Sequence, residues 1–301
     1  MKEVVVFGAA GQVGRELLRL PLPVGWVVRG FTHQDVDITS ERDIERALTV
    51  CPNAIAVVNA AAYTAVDEAE RRRDAAFAAN ARAPGLIARA CTVRDLPLFH
   101  LSTDYVFDGS KTDGAYAEDE PVQPLNVYGQ SKLAGERAVR AAGGRHVILR
   151  TAWVYSPFGR NFLTTMLHPG REWPERAVID DQRGCPTAAA DVAKALLAMV
   201  GAIDQGKVDG FGTFHFCGRN DASWYEFACA IFEEGARFGL AAPVIRPITT
   251  AQYPTLAARP ARSVLDCSRI GRVYDLAAPP WRDSLRACVA ELTGRTMEHA
   301  A

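Results

Sequence analysis

The seven residues Gly8-Ala-Ala-Gly-Gln-Val-Gly14 constrain this chain most, because they stand between the apolar stretch Val4-Val5-Val6-Phe7 and a segment whose Val13, Leu17 and Leu18 share one helical face. Glycines at 8, 11 and 14 let the backbone turn sharply from strand to helix, and a helix amino terminus favours an anion such as a pyrophosphate. The spacing is G-x-x-G-x-x-G, one residue longer than the commoner dinucleotide fingerprint. A turn without a ligand is the plain alternative; the flanking strand and helix favour the dinucleotide.

Downstream, short apolar runs alternate with stretches of helical period, the pattern of a parallel sheet wrapped by helices. Strands are predicted over 26–31, 54–59, 98–102 and 146–150, with helices near 41–50, 66–92 and 126–142. Runs this apolar suit strands buried on both faces. After Thr151 the rhythm changes, and Pro157, Gly159, Pro169, Gly170, Pro174, Gly184 and Pro186 separate short pieces. A capped helix over 191–200, a strand over 213–216 and amphipathic helices over 224–238 and 281–292 are expected, with residues 295–301 frayed. The expected fold class is α/β: a Rossmann-like doubly wound parallel sheet with a smaller C-terminal mixed substrate-binding domain. Residues 1–150, with a returning strand and helix near 188–218, would form the dinucleotide-binding domain; 151–187 and 219–301 would form the other.

The 301 residues carry 34 Lys plus Arg against 35 Asp plus Glu, so no overall basic field attracts nucleic acid or anionic lipid, and neither is an expected partner. No apolar run is long enough for a membrane span. The first residues lead from a short apolar stretch straight into glycines, unlike a secretory signal, so a cytoplasmic location is expected. Seven cysteines lie between Cys51 and Cys288 with no C-x-x-C pair and no histidines at ligand spacing, which argues against disulfides and a metal centre. Spacing alone leaves a thiol nucleophile open, though a buried apolar cysteine is the commoner state.

The second strand ends in Arg29-Gly-Phe-Thr-His-Gln34. No acid stands there to bind an adenosine ribose 2′-hydroxyl, so a 2′-phosphate is tolerated, with Arg29 or His33 to meet it. Asp37 and Ile38 form a candidate lip for the adenine; otherwise Asp37, Thr39 and Ser40 compete to cap the next helix. Tyr128-Gly-Gln-Ser-Lys132 opens an amphipathic helix and stacks a phenol and an amine on one face. An ammonium one turn away stabilises a phenolate, which suits the pair to acid–base work, and Lys132 can also donate to a nicotinamide ribose. Alone, Y-x-x-x-K reads more readily as a solvated helical face; with the glycine turn it is far stronger. Ser102, Thr103 and Asp104 sit at a strand's end, where open parallel sheets hold ligands; capping and turn chemistry is their other use.

These residues resemble the extended short-chain dehydrogenase/reductase superfamily, and within it the dTDP-4-dehydrorhamnose reductase family. The wider likeness rests on Gly8–Gly14, on Asn59-Ala-Ala-Ala-Tyr-Thr-Ala-Val-Asp67 and on Tyr128 with Lys132. The narrower one rests on STDYVFDG, PLNVYGQSKLAGE, RTAWVY, Asn161-Phe162, Asp181-Gln-Arg-Gly-Cys-Pro-Thr187 and the TTAQYPTLAARPARSVLD stretch, and runs from residue 1 to about 292. The resemblance implies reduction of the C4 keto group of dTDP-4-dehydro-6-deoxy-L-mannose by NADPH or NADH, yielding dTDP-L-rhamnose. It implies Tyr128 as proton donor, Lys132 lowering its pKa and holding the ribose, and Thr103 with Asp104 at the reacting carbonyl or a sugar hydroxyl. Gly8, Gly11, Gln12 and Val13 would line the pyrophosphate, Asp37 and Ile38 the adenosine, and Ala60, Ala61, Ala62, Tyr63 and Thr64 the cofactor's middle portion. Trp153 and Asn161 would meet the sugar, with a core tryptophan as the other reading of Trp153.

Three positions depart from the family's pattern. Tyr63 stands where histidine is common and Arg262 where asparagine is expected. Some members of the family are dimers joined through acidic residues and magnesium; Glu291 is a candidate remnant of that set, but no convincing acidic partner stands near Ala190, which argues against a magnesium-bridged dimer. Monomer and homodimer both stay open. The rival readings are a reductase or epimerase of another nucleotide-linked keto sugar, and a non-catalytic NADP-binding regulatory subunit.

Overall fold

The computed structural model describes residues 1–168 and 174–298, with side chains to Gly294. Strands β1 (Lys2–Phe7), β2 (Trp26–Phe31), β3 (Ala54–Asn59), β4 (Leu98–Thr103) and β5 (His146–Thr151) alternate with helices α1 (Gln12–Arg19), α2 (Glu41–Thr49), α3 (Val66–Arg71), α4 (Arg73–Phe77), α5 (Ala83–Val93) and α6 (Val127–Ala141). Short pieces follow: β6 (Val154–Tyr155), α7 (Phe162–Met166), β7 (Glu175–Ile179), β8 (Arg183–Gly184) and β9 (Thr187–Ala188). Then come α8 (Ala189–Asp204), β10 (Gly212–His215), β11 (Ala222–Ser223), α9 (Trp224–Ala236), β12 (Val244–Ile248), α10 (Ser268–Tyr274) and α11 (Trp281–Glu298).

Six strands form one parallel sheet in the order β10-β5-β4-β3-β1-β2. The order reverses beside β1, and in such sheets ligands lie outside the carboxyl ends of the strands at that switch. Alternate residues leave a strand on opposite faces. Val4, Val6, Val58, Phe99 and Leu149 therefore pack with Leu17 of α1 and Leu196 of α8, while Val5, Phe7, Val57 and Ile148 pack with α2 and α5 on the other face. A separate core of Tyr155, Leu163, Phe227, Trp281 and Leu285 lies beneath the short later elements.

The predicted helix over 66–92 is interrupted. It breaks at Arg72 and contains one π turn, Ala78–Arg82, before α5 begins. That turn carries the fully buried Asn80, whose side chain accepts from Tyr63 N–H and donates to the Tyr63 carbonyl and the Ser131 hydroxyl. A polar side chain held inward by three partners accounts for a departure that apolar periodicity does not record. Helix α8 starts two residues before Asp191, with Ala188 as a cap that offers no side chain; Asp191 instead accepts from Ser284 and pairs with Lys194. Strands β4 and β5 each run one residue beyond expectation, to Thr103 and Thr151. The backbone is helical through Glu298; residues 299–301, Pro169 and Gly170 lie outside the described residues. Strands of two to five residues, such as β6 beside β9 and β7 beside β12, were too short to show a period.

All seven cysteines are free thiols, five of them buried. No helix among the described residues is long and apolar enough to cross a membrane.

Helix α6 approaches the π turn so closely that a Cβ on Gly135 would stand 2.0 Å from the Asn80 carbonyl oxygen. Gly135→Ala is expected to destabilise the chain by about 1–3 kcal/mol, despite alanine's better helix propensity, because backbone must give way. Urea unfolding of parent and variant measures the difference.

Candidate active site

The carboxyl edge of the sheet opens into a cavity of about 640 Å³. Its first end is lined by Phe31, Thr32 and His33 at the tip of β2, with Val36 and Ile38. The middle is the glycine turn, Gly8 and Gly11 to Val13, facing Ala60, Ala61, Ala62 and Thr64 after β3. The far end brings Thr103, Asp104, Tyr128, Lys132 and Thr151 together and closes on Trp153, Asn161, Phe162 and Trp224.

The glycine turn is shaped by close approach. Gly8 has φ +87°, and a Cβ there would fall 2.5 Å from Ala61 N; one on Gly14 would fall 2.3 Å from the Gly8 carbonyl oxygen. Gly11 caps α1 without a side-chain hydrogen bond to the helix end. This is a cradle for an anion, with the backbone exposed where a pyrophosphate would lie.

At the tip of β2, Arg29 is not available to the cavity: its guanidinium pairs with Glu3 at 2.9 Å. His33 does line the cavity. The Asp35 carboxyl accepts from Thr32 N–H and hydroxyl, bonds that hold its pKa below the usual range. Asp37 lies outside the cavity lining, contrary to expectation; its carboxylate closes a local turn on Thr39 N–H and hydroxyl, while Ser40 caps α2. Tyr63 is also outside: Asn80 grips its backbone, and its side chain packs against the small cluster of Ala69, Ala76 and Val127.

Helix α6 begins at Asn126, whose side chain accepts from Gly129 N–H. A Cβ on Gly129 would meet the Tyr105 carbonyl oxygen at 2.2 Å, so the helix rests directly on the turn that follows β4. One turn in, the buried Lys132 donates to the Leu101 carbonyl at 2.6 Å. Another turn on, Glu136 accepts from Ser102 (2.7 Å), from Arg150 through Nε and Nη2 (both 2.8 Å) and from Arg140. Burial would push the Glu136 carboxyl up, but Arg150 and Ser102 outweigh it and hold the group ionised.

The electrostatics differ from the expected pairing of phenolate and ammonium. Burial pushes the Tyr128 phenol up to about 12, only partly offset by its bond with Thr103, and brings Lys132 down to about 8 against the pull of Glu136. Tyr128 is therefore a protonated acid at neutral pH, and the Lys132 ammonium is directed to a backbone carbonyl. Thr103 donates to Asp104 at 3.0 Å and accepts from Tyr105 N–H, besides its bond with the Tyr128 phenol. Asp104 also accepts from Ser263, and burial raises its pKa to about 6.

Asn161 caps α7 and has its amide committed: it donates to the Ser156 and Phe158 carbonyls and accepts from Thr164 N–H. Trp153 takes a left-handed φ of +46° and stacks on Trp224, with ring centroids 3.5 Å apart. Gly184 sits behind it, where a Cβ would come within 2.4 Å of the indole. Trp224, Thr151, Tyr105 and Arg160 line the cavity without having been singled out in the sequence; Trp224 lies inside an amphipathic helix pattern that reads simply as core. Arg262 bonds to the Gly114 carbonyl and pairs with Asp221, away from the cavity. Glu291 pairs with Arg19 at 2.7 Å, and no group of three or more potential metal ligands exists among the described residues.

A doubly wound sheet whose switch point carries this glycine cradle, with a phenol and an amine on one helix beside it, defines a Rossmann-like dinucleotide-binding protein. A family model described as "RmlD substrate binding domain" matches residues 1–294, and the chain belongs to that family. It is 38% identical over 290 residues to a dTDP-4-dehydrorhamnose reductase of Aggregatibacter actinomycetemcomitans, covering 95% of this chain and 98% of the relative. It is 36% identical over 295 residues to the Escherichia coli protein of the same name, covering 96% and 97%. Among solved structures, dTDP-4-dehydrorhamnose reductase from Bacillus anthracis in complex with NADP superposes with a TM-score of 0.89 at 32% identity, covering 97% of this chain and all of that one.

Between pH 8 and 10.5 the unfolded chain holds a proton on Lys132 that the folded chain has released, so stability rises with pH across that window. Measured against Lys132→Met, the parent is expected to gain up to about 3 kcal/mol of unfolding free energy between those limits. Denaturant titrations of both proteins at pH 7.5 and 10.5 check the difference; equal pH dependence contradicts it.

Proposed function

We propose that this chain reduces the C4 keto group of dTDP-4-dehydro-6-deoxy-L-mannose to give dTDP-L-rhamnose, with NADPH as the preferred reductant and NADH as the alternative. The observation that carries the reading is the convergence of Tyr128, Lys132 and Thr103 in the cavity that also holds the glycine turn. Full-length likeness to reductases of that name narrows the substrate. His33 at the β2 end of the cavity and the NADP bound by the Bacillus anthracis reductase support a 2′-phosphate; the Asp35 carboxylate at that tip is taken up by Thr32.

Gly8, Gly11, Gln12 and Val13 would hold the pyrophosphate, and a cradle that any Cβ on Gly8 would spoil fits such a group. The bound nicotinamide supplies the hydride. Tyr128 supplies the proton: its raised pKa keeps it loaded, and a neighbouring alkoxide, far more basic than a phenolate, takes that proton as it forms. Lys132, fixed by Leu101, presents its remaining donors to the ribose. The Thr103 hydroxyl, which bonds both Asp104 and the Tyr128 phenol, sets that phenol toward the keto oxygen. Trp153 offers a ring face to the sugar, braced by Trp224. In this arrangement 1–150, with the returning segment near 188–218, hold the dinucleotide, and 151–187 with 219–301 hold the sugar nucleotide.

Tyr128→Phe removes the proton donor and is expected to lower turnover roughly 10²–10⁴-fold with little change in NADPH affinity. Following NADPH absorbance with the keto sugar checks the first part, and direct NADPH titration the second. Parental turnover by the variant would refute the role given to Tyr128.

A further inference from the structure

The cavity wall contains a hydroxyl with nothing to bond. Among the described residues only two buried side-chain polar atoms have no hydrogen-bond partner, His100 Nε2 and Thr151 Oγ1. Thr151 is the one that lines the cavity. It is the last residue of β5 and the register partner of Thr103, so the two side chains leave the sheet on the same face, beside Tyr128 and Lys132.

An unpartnered buried hydroxyl is costly where a valine of the same shape would cost nothing. The neighbours of Thr151 do not satisfy it. Thr103 is used by Asp104 and Tyr105, and Lys132 by Leu101. No hydrogen bond holds the present rotamer, so a rotation of about 120° about Cα–Cβ, which moves the hydroxyl to another staggered position, is open to turn it toward a ligand in the cavity.

We infer that Thr151 binds the carboxamide of the nicotinamide ring and so selects the ring face turned toward the keto carbon. This rests on the cofactor reading above. A dinucleotide with its adenosine against the tip of β2 and its pyrophosphate on the glycine turn between β1 and α1 reaches β4 and β5 with its ring. The carboxamide offers one acceptor and two donors, and a threonine hydroxyl can answer either. The sugar, by contrast, has the Trp153–Trp224 wall beyond.

The test compares parent, Thr151→Val, Thr151→Ser and Thr151→Ala in titrations with NADPH and with 2′-phospho-ADP-ribose, which keeps everything except the ring. Thr151→Val and Thr151→Ala are expected to bind NADPH about 5–10-fold more weakly, as loss of one hydrogen bond predicts, and Thr151→Ser within about 2-fold of parent. All four should bind 2′-phospho-ADP-ribose equally, and ligand-free Thr151→Val should melt no lower than parent. With stereospecifically deuterated NADPH, Thr151→Val should show reduced facial selectivity in hydride transfer. NADPH binding by Thr151→Val equal to parent overturns the inference, as does equal loss for both ligands, or a loss confined to the keto sugar. A parent chain that binds no NADPH overturns the cofactor reading itself and this inference with it.

Discussion

Everything at the cavity's catalytic end depends on how α6 is fastened to the last residues of β4. Lys132 bonds to the carbonyl of Leu101 and Glu136, one turn later, to the hydroxyl of Ser102, so successive turns of the helix are matched to successive residues of the strand. Arg150 on β5 grips the same carboxylate with two bonds and ties the adjacent strand into the arrangement. Breaking such a buried pair from one side leaves an uncompensated charge, typically at a cost of about 3–5 kcal/mol, which makes the register hard to slip. Tyr128, one turn before Lys132, inherits its position from this fastening.

Close backbone approach completes the alignment. Gly129 lets α6 touch the carbonyl of Tyr105, and Gly135 lets it touch that of Asn80. Asn80 in turn holds the backbone of Tyr63 and reaches Ser131 on α6, joining the wall after β3 to the helix that carries the phenol. The opposite wall follows the same logic with an aromatic group: Trp153 adopts a left-handed backbone and is clamped between Gly184 and Trp224. Burial then sets the chemistry. It keeps the Tyr128 phenol protonated and discourages charge on Lys132, so the ligand-free site is an acid waiting for a base.

The parallel sheet, the glycine turn and the Tyr–Lys helix were legible because each leaves a local mark: continuous apolar runs, glycines at fixed steps, and two functional side chains four residues apart. The π turn inside the segment 66–93 was not, since it carries a single inward asparagine whose partners lie 17 and 51 residues away. Asp37 and Arg29 look suited to the adenosine end, but neither lines the cavity, and Thr39 and Glu3 take their polar groups. Thr151 and Trp224 carry no motif of their own; one was concealed at a strand end and the other in an amphipathic pattern. The expected fall in the Tyr128 pKa assumed that spacing along a helix fixes electrostatics, whereas burial and the carbonyl of Leu101 dominate.

The central claim is that the phenol on α6 and the reactive ring of the dinucleotide share one end of this cavity. A crystal structure of the chain with NADPH bound tests it most directly. The ring is expected against β4 and β5, with the Tyr128 hydroxyl on its substrate side and the Lys132 ammonium on the adjoining ribose. A ring lying elsewhere, or a Tyr128 hydroxyl turned into the protein beyond its reach, would contradict it.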